Sequence, residues 1–306
     1  RVTRMRGVVI LRAAEWIAPR VRRLEVEAPR VAAEYRPGQY VVVRATPDGE
    51  RIPLPVAGAE PEAGTLTLVV AATAAATERL CLLGAGAALA QLAGPLGRPA
   101  ELRRFGHVVL VGGGPGAAAL HPHAAALKAL GNRVTALLGA PSAAHLVFEA
   151  ELGRWCDAVL PCTDDGSHGF AGFVTNRLAL LLAAEPADAV FTAGSVPMMK
   201  AVAAVTRPPG IRTVASLSPL LVDGTGLCGG CRVTVCGEHR FACVDGPEFD
   251  AHDVAFEELW DQLGVQRRHA LLGRPRADDG PEHRCLLPRG SAAEAAAPRA
   301  PDGEPR

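Results

Sequence analysis

The chain has 306 residues, 49% of them hydrophobic, with 32 basic and 32 acidic side chains and a formal net charge of zero. It is long enough to bury a substantial core divided between two or three domains. The balanced charge leaves no electrostatic footprint for nucleic acid or an acidic membrane surface, and eight irregularly spaced cysteines argue against a secreted disulfide framework.

The apolar run Val8–Leu11 is too short for a signal sequence, and His121, Pro122, His123 and Lys128 break the alanine-rich stretches. No segment qualifies as a membrane span, so a cytoplasmic protein without membrane or nucleic-acid partners is expected. Residues 1–100 contain short strand patterns at Val21–Val26, Tyr40–Arg44 and Thr65–Val70. Pro37-Gly38, Pro47-Asp48-Gly49 and Gly94-Pro95-Leu96-Gly97 punctuate them. Strands at this spacing predict a small antiparallel barrel. Within it, Arg51 precedes the extended segment Ile52-Pro53-Leu54-Pro55-Val56. Its guanidinium could meet a cofactor phosphate, although an isolated arginine is more often a surface residue.

The pattern changes over residues 101–220. His107–Val111 is a continuous apolar strand, Gly112-Gly113-Gly114-Pro115-Gly116 follows, and a helix is predicted over Ala117–Leu130. Arg133–Leu138 is the next buried strand, and alternation continues through 173–182, 189–193 and 202–205. This predicts a parallel α/β domain. Glycines between strand and helix permit a tight turn, and the helix N-terminus offers unpaired N–H groups to a pyrophosphate. The plain alternative is a ligand-free crossover turn. A Rossmann fingerprint would place a carboxylate about 20 residues on, yet the second strand runs into Gly139-Ala140-Pro141-Ser142. Two more segments fall at strand ends, where open α/β sheets bind ligands: Thr163-Asp164-Asp165-Gly166-Ser167 and Gly194-Ser195-Val196-Pro197-Met198-Met199. The aspartates alone fit a solvated turn, and at least one methionine fits core packing.

Residues 221–268 hold the most specific signal. With Asp223 counted as a ligand, Asp223-x4-Cys228-x2-Cys231 followed by Cys243 has the spacing of a plant-type [2Fe–2S] cluster. Gly224, Gly226, Gly229 and Gly230 allow the backbone to wrap an inorganic core and present N–H donors to sulfur. Cys231–Cys236 and Arg240–Cys243 predict a hairpin that returns Cys243 to the other sulfurs. Structural zinc is the alternative, but it needs a second compact ligand pair that Cys236 and Cys243 do not make. For the fourth ligand, Cys236 offers a softer sulfur than Asp223. Strand alternation turns Cys236 away from Cys231, which favours Asp223. A closing helix is expected with Asp253 as N-cap, Phe256, Trp260 and Leu263 on one face, and Gly264 at its end. Residues 269–306 lack periodicity and are expected to be disordered, with no role for Cys285.

In this order the segments resemble the ferredoxin-reductase-like flavoproteins. Within them the chain is most similar to the small subunits of NADH-dependent reduced ferredoxin:NADP oxidoreductase, or sulfide dehydrogenase, with dihydroorotate dehydrogenase electron-transfer subunits as relatives. The similarity spans roughly residues 5–268 and is sharpest at Val222-Asp-Gly-Thr-Gly, Phe241-Ala-Cys-Val-Asp-Gly-Pro-Glu-Phe-Asp and Val196-Pro-Met-Met-Lys-Ala-Val. The resemblance implies FAD at Arg51, Pro53, Leu54, Pro55, Gly64, Thr65 and Leu66, with its phosphates near Thr77. It implies NAD(H), or NADP(H), at Gly112, Gly113, Gly114, Gly116, Asp164, Asp165, Gly194, Pro197 and Met198. It implies a [2Fe–2S] cluster on Asp223, Cys228, Cys231 and Cys243, where relatives of the dihydroorotate type carry cysteine at the first position.

The implied fold is an antiparallel FAD barrel, a parallel α/β nucleotide domain and a small cluster module. The implied activity is NAD(P)H-dependent electron transfer, without a protein general base, to a large flavoprotein and iron–sulfur subunit related to the glutamate synthase small subunit. This chain departs from the family at Pro55, usually Ser or Thr, at Ala119, usually Pro, and at Pro141, usually Arg. Two other functions remain open: electron supply to a dihydroorotate dehydrogenase, and a regulatory module holding zinc and nucleotide.

Overall fold

The computed structural model describes residues 3–4, 9–219 and 221–272, with side chains for 9–219 and 221–264. The expected tail falls largely outside these residues, as does Cys285. Residues 1–266 form one compact unit, and the second unit, 267–306, is described only as the end of the last helix.

Eight antiparallel strands make the barrel sheet: β1 (Thr3–Arg4), β2 (Val9–Ala18), β3 (Val21–Glu27), β4 (Tyr40–Arg44), β5 (Ile52–Glu60), β6 (Thr65–Ala71), β7 (Ala88–Leu89) and β8 (Gln91–Leu96). Their spatial order is β1-β8-β4-β5-β6-β3-β2-β7. Alternation explains the interior, since β3 turns Leu24 and Val26 inward against Val41, Val43, Leu66 and Leu68. Two short helices, α1 (Pro29–Glu34) and α2 (Ala75–Leu82), pack Val31, Ala32, Leu80 and Cys81 into the barrel core.

Strand β5 is divided between neighbours. Ile52–Pro55 pairs with β4, whereas Val56–Glu60 pairs with β6 after a register shift between Val56 and Gly58. Pro53 and Pro55 have no N–H for a ladder, so a strand carrying both needs one edge free of a partner. The split of β5 supplies that edge.

The second sheet contains β9 (His107–Gly113), β10 (Arg133–Ala140), β11 (Ala158–Thr163), β12 (Phe170–Ala171), β13 (Ala189–Ala193) and β14 (Arg212–Ser216), all parallel. Helices α3 (Gly116–Ala129), α4 (Glu149–Gly153), α5 (Val174–Ala184) and α6 (Val196–Thr206) connect these strands. Val108–Val111 are buried from both sides, which is why β9 is uniformly apolar rather than alternating.

The hairpin of β15 (Arg232–Val235) and β16 (Glu238–Phe241) forms a small sheet of its own, followed by α7 (Ala242–Asp245). Next, β17 (Glu248–Asp250) adds antiparallel to β14 at the edge of the parallel sheet. The segment 221–268 thus shares a sheet with the domain before it. One apolar core joins Tyr40, Val42 and Leu96 of the barrel, Met199 and Leu217, and Cys231, Cys243 and Leu259.

The last helix, α8 (Phe256–Leu272), differs from expectation. It passes through Gly264 rather than ending there, and Phe256 and Leu259 face the core while Trp260 is 46% exposed. An i, i+3 pair sets the buried stripe, and Trp260 lies one position off it.

Candidate functional site

Around the cysteines, the loop after β14 and the α7 turn carry the expected ligands. No three or more His, Cys, Asp or Glu side chains among the described residues gather around a single point. The four expected ligands fall into two pairs. The Cys228 thiol donates to Asp223 Oδ1 at 3.7 Å, and Cys231 and Cys243 share a hydrogen bond. Two ligand pairs suit the two irons of a [2Fe–2S] cluster.

Register explains the second pair. Arg232 lies opposite Phe241, and the Ala242 N–H donates to Cys231 O at 3.0 Å, so Cys231 and Cys243 meet at the open end of the hairpin. Burial, the hydrogen bond with Cys231 and its charge push the Cys243 thiol up to about 12, while the Gly226 N–H donates to its sulfur. A buried thiol pair with a backbone donor suits cationic iron, which would hold both sulfurs as thiolates. The Thr225 N–H donates to Asp223 Oδ1 at 2.9 Å and, ahead of the Cys228 thiol and the Arg51 guanidinium, holds that carboxyl below its ordinary range. Cys236 is elsewhere for a reason other than strand alternation. It occupies the hairpin turn at φ 53°, and its thiol hydrogen-bonds with Asp253.

A cleft opens where the three regions meet. Gln39, Tyr40 and Pro53–Val56 line it from the barrel, Ala119 and His123 from α3, and Ser216–Ser218, Leu221 and Pro247 from the sheet edge. Along β5, only backbone carbonyls are available at Pro53 and Pro55 on the free edge. The cleft holds about 50 Å³ of free space, and its apolar floor with a few polar groups on the walls is a lining that suits the edge of a planar heterocycle.

Gly64, Thr65 and Leu66 are not at the cleft. Thr65 and Leu66 pair with Glu60, Ala59 and β3 near the turn between β5 and β6, away from Pro53, and Leu66 is a barrel-core side chain. Because β6 runs antiparallel to β5, it is Leu68, opposite Val56, that approaches the cleft end. Gly64 holds φ 68° against Pro29, so its glycine serves the hairpin turn. Thr77 is committed locally, since its Oγ1 accepts from the Thr73 and Ala74 N–H groups at 3.1 and 3.0 Å and donates to Ala74 O. A small pocket beside it is lined by Thr46, Glu50, Ile52, Ala76 and Arg79, so Arg79 is a second cation in this region.

The glycine-rich turn borders a cavity of about 540 Å³ at the strand ends of the parallel sheet. Gly113, Gly114, Asp164, Pro197 and Met198 line it, together with Pro141, Phe173, Thr175 and Ser195. The glycines divide by role. A Cβ on Gly112 would meet Ala117, and one on Gly116 would collide with Ala193 O, so both serve strand–helix packing. Gly114, at φ 50°, has open space where a side chain would stand. Gly194 packs under Met198 and against Gly113. Asp165 is absent from the cavity wall, because its Oδ1 accepts from the Ser167 N–H and hydroxyl and closes a turn. Met199 is 1% exposed in the core, whereas Met198 reaches the cavity.

Sequence reasoning passed over Tyr40, His123, Phe173 and Thr175. Phe173 is 64% exposed at the cavity rim, an exposure no strand or helix pattern announces.

A family model described as the iron–sulfur cluster binding domain of dihydroorotate dehydrogenase B matches residues 219–255. The chain is 42% identical to a dihydroorotate dehydrogenase B (NAD(+)) electron transfer subunit homolog of Thermotoga maritima, over 82% of this chain and 89% of the relative. It is 32% identical to the dihydroorotate dehydrogenase B (NAD(+)) electron transfer subunit of Shouchella clausii, over 76% and 91%. Among solved structures, a chain of the NADH-dependent reduced ferredoxin-NADP oxidoreductase, a system of flavin-based electron bifurcation, superposes with a TM-score of 0.83 at 40% identity, over 88% of this chain and 98% of that one. Phthalate dioxygenase reductase shares the fold, with a TM-score of 0.56 at 17% identity over 75% and 86%. On sequence and fold together, the chain belongs to the family of dihydroorotate dehydrogenase B electron transfer subunits and their homologs.

Proposed function

We propose that the chain is an NAD(P)H-dependent electron-transfer flavoprotein subunit, with FAD in the three-way cleft and a [2Fe–2S] cluster on Asp223, Cys228, Cys231 and Cys243. The observation that carries this reading is the position of Tyr40. It lines the cleft, its hydroxyl donates to Cys243 O at 3.4 Å, and the charges of all four expected ligands reach its phenol. Cleft and cluster loop are therefore one side chain apart.

FAD bound there would supply the exchange between a hydride and single electrons. The chain's own residues bind and orient. The start of α3 turns its positive end towards a nucleotide pyrophosphate, with the Gly114 N–H donated to Gly139 O at 2.9 Å to fix the turn and with Phe173 and Met198 as apolar walls. Arg51 and Arg79 offer cations to the flavin phosphates, and Pro53, Leu54 and Pro55 flank its ring. Leu227 is 88% exposed and Cys228 is exposed beside it, so a partner subunit can approach the cluster loop directly.

The partner proposed is a large flavoprotein and iron–sulfur subunit related to the glutamate synthase small subunit. Asp223, standing where relatives of the dihydroorotate type carry cysteine, favours this partner. The names of the sequence relatives favour a dihydroorotate dehydrogenase instead. Co-purification from the native host separates the two. The cofactor reading is tested by the absorption spectrum of the anaerobically purified chain and by rapid mixing with NADH. Flavin bleaching followed by cluster bleaching is expected, and a colourless protein with one zinc overturns it.

A further inference from the structure

His123 and Glu248 form a buried titratable pair beside the cleft that the proposed electron route does not use. His123, on α3, is 2% exposed and lines the cleft, while Glu248 stands at the start of β17. The imidazole Nε2 lies 2.6 Å from Glu248 Oε1, and Nδ1 lies 3.2 Å from Ala119 O. A backbone carbonyl only accepts, and so does a carboxylate. A neutral imidazole has one N–H and one lone pair, so it would leave one nitrogen facing an acceptor without a proton. The pair thus holds one proton more than a neutral histidine beside a carboxylate. Burial alone would lower the imidazole's pKa, but the charge and hydrogen bond of Glu248 outweigh it and raise it, which places that proton on His123.

The pair is also oriented. His123 faces the cleft, whereas Glu248 borders a polar pocket of about 260 Å³ that also holds Arg98, Glu101, Arg212, Asp245 and Asp250. Besides the charged groups of that pocket, two neutral phenols lie near the pair. Tyr35 is raised by burial and by the Glu248 charge, and Tyr40 is raised chiefly by burial. Phe191 packs against the imidazole, with ring centroids 5.8 Å apart.

We propose that His123, held as an imidazolium by Glu248, presents a fixed positive charge to the cleft and favours the anionic reduced state of a flavin bound there. This rests on the assignment of FAD to the cleft. A structural tie between α3 and β17 would use the same hydrogen bonds but would not act on the flavin's redox balance.

The test is a dye-coupled anaerobic titration of the flavin-loaded full chain at pH 8, with His123→Gln and Glu248→Gln. His123→Gln should lower the reduced-to-oxidised flavin ratio at fixed dye potential about tenfold or more, as for one charge removed about 10 Å away at an effective dielectric of about 20. Glu248→Gln should lower it too, because the buried imidazole then gives up its proton. Loss of a negative charge by itself would raise the ratio, so the sign discriminates. In parallel, the ring ¹⁵N shifts of His123 in the flavin-free chain should show two protonated nitrogens at pH 8, and one in Glu248→Gln. An unchanged ratio in His123→Gln, or a raised one in Glu248→Gln, overturns the proposal. A chain that shows the doubly protonated ring yet takes up no flavin sinks the cofactor assignment, and with it the role of the charge.

Discussion

The Tyr40 hydroxyl donates to the carbonyl oxygen of Cys243 at 3.4 Å, joining a barrel strand to the turn that carries this proposed cluster ligand. Tyr40 is 3% exposed, sits opposite Pro55 in the β4–β5 ladder and packs close to Gly224 of the cluster loop. A Cβ on Gly224 would come within 2.8 Å of Leu96 and 3.3 Å of the Tyr40 hydroxyl, so the loop lies directly on the barrel. Tyr40→Phe keeps the ring and removes the bond. The expected cost is about 1 kcal/mol of stability, read by urea unfolding, with flavin retained and electron arrival at the cluster slowed relative to flavin bleaching. An unchanged ratio of the two rates would show that the contact only holds the loop.

Asp223 separates a cluster ligand from a turn residue. A carboxylate gives iron a harder, less covalent bond than a thiolate, and ligand type helps set a cluster's potential. Asp223→Cys should keep a [2Fe–2S] chromophore with a changed potential and paramagnetic resonance signal. Asp223→Ala should make the cluster labile while NADH still bleaches the flavin. Cys236→Ser should change neither, since that thiol faces Asp253 at the hairpin turn. A stable cluster in Asp223→Ala with a lost one in Cys236→Ser would reverse the assignment.

How much of this was legible in the sequence depended on the distance over which each feature is set. The strands at Val21–Val26, Tyr40–Arg44 and His107–Val111 declare themselves through local period, and the structure has β3, β4 and β9 there. The ligand spacing is local too, and it brought Asp223 next to Cys228. What is not legible is set by pairing direction or by packing across the chain. Gly64–Leu66 follow a turn beside a strand, yet the antiparallel return of β6 carries them away from Pro53. Tyr40 reads simply as one more apolar strand residue, because its contact with Cys243 spans 203 positions. His123 lies inside an alanine-rich helix, and nothing in that helix announces Glu248, 125 residues on.

The glycines of the first βα turn should separate in a mutational series. Gly116→Ala places a methyl group against Ala193 O at the strand–helix crossing. It is expected to destabilise the fold by about 1–3 kcal/mol, as overpacking does, with nucleotide affinity measured on the surviving fraction little changed. Gly114→Ala meets no atom but must hold φ 50°, which costs an L-residue about 1 kcal/mol. Its methyl group would stand at the cavity, so NADH affinity should fall severalfold with only a small loss of stability. Thermal unfolding with and without NADH checks both variants, and equal loss of affinity in the two would refute the division of roles.

Nucleotide choice should turn on Asp164. Among the described residues lining the 540 Å³ cavity it is the only charged side chain, and Pro141 stands beside it where a cation could have met a 2′-phosphate. A carboxylate close to a dianionic phosphate is unfavourable by about 1 kcal/mol in a solvent-filled cavity, and NADH carries no such group. The chain should therefore reduce its flavin faster with NADH than with NADPH at equal subsaturating concentrations, by about fivefold or more. Asp164→Asn should narrow that ratio chiefly by improving NADPH, because it removes repulsion without adding an attractive partner. Pro141→Arg should act in the same direction and more strongly, since a guanidinium at that wall adds a charge-assisted bond to the phosphate. Rapid-mixing rates for both nucleotides across the two variants decide it. A wild-type preference for NADPH, or an Asp164→Asn change that slows both nucleotides equally, would mean that Asp164 holds the ribose common to the two and plays no part in selecting between them.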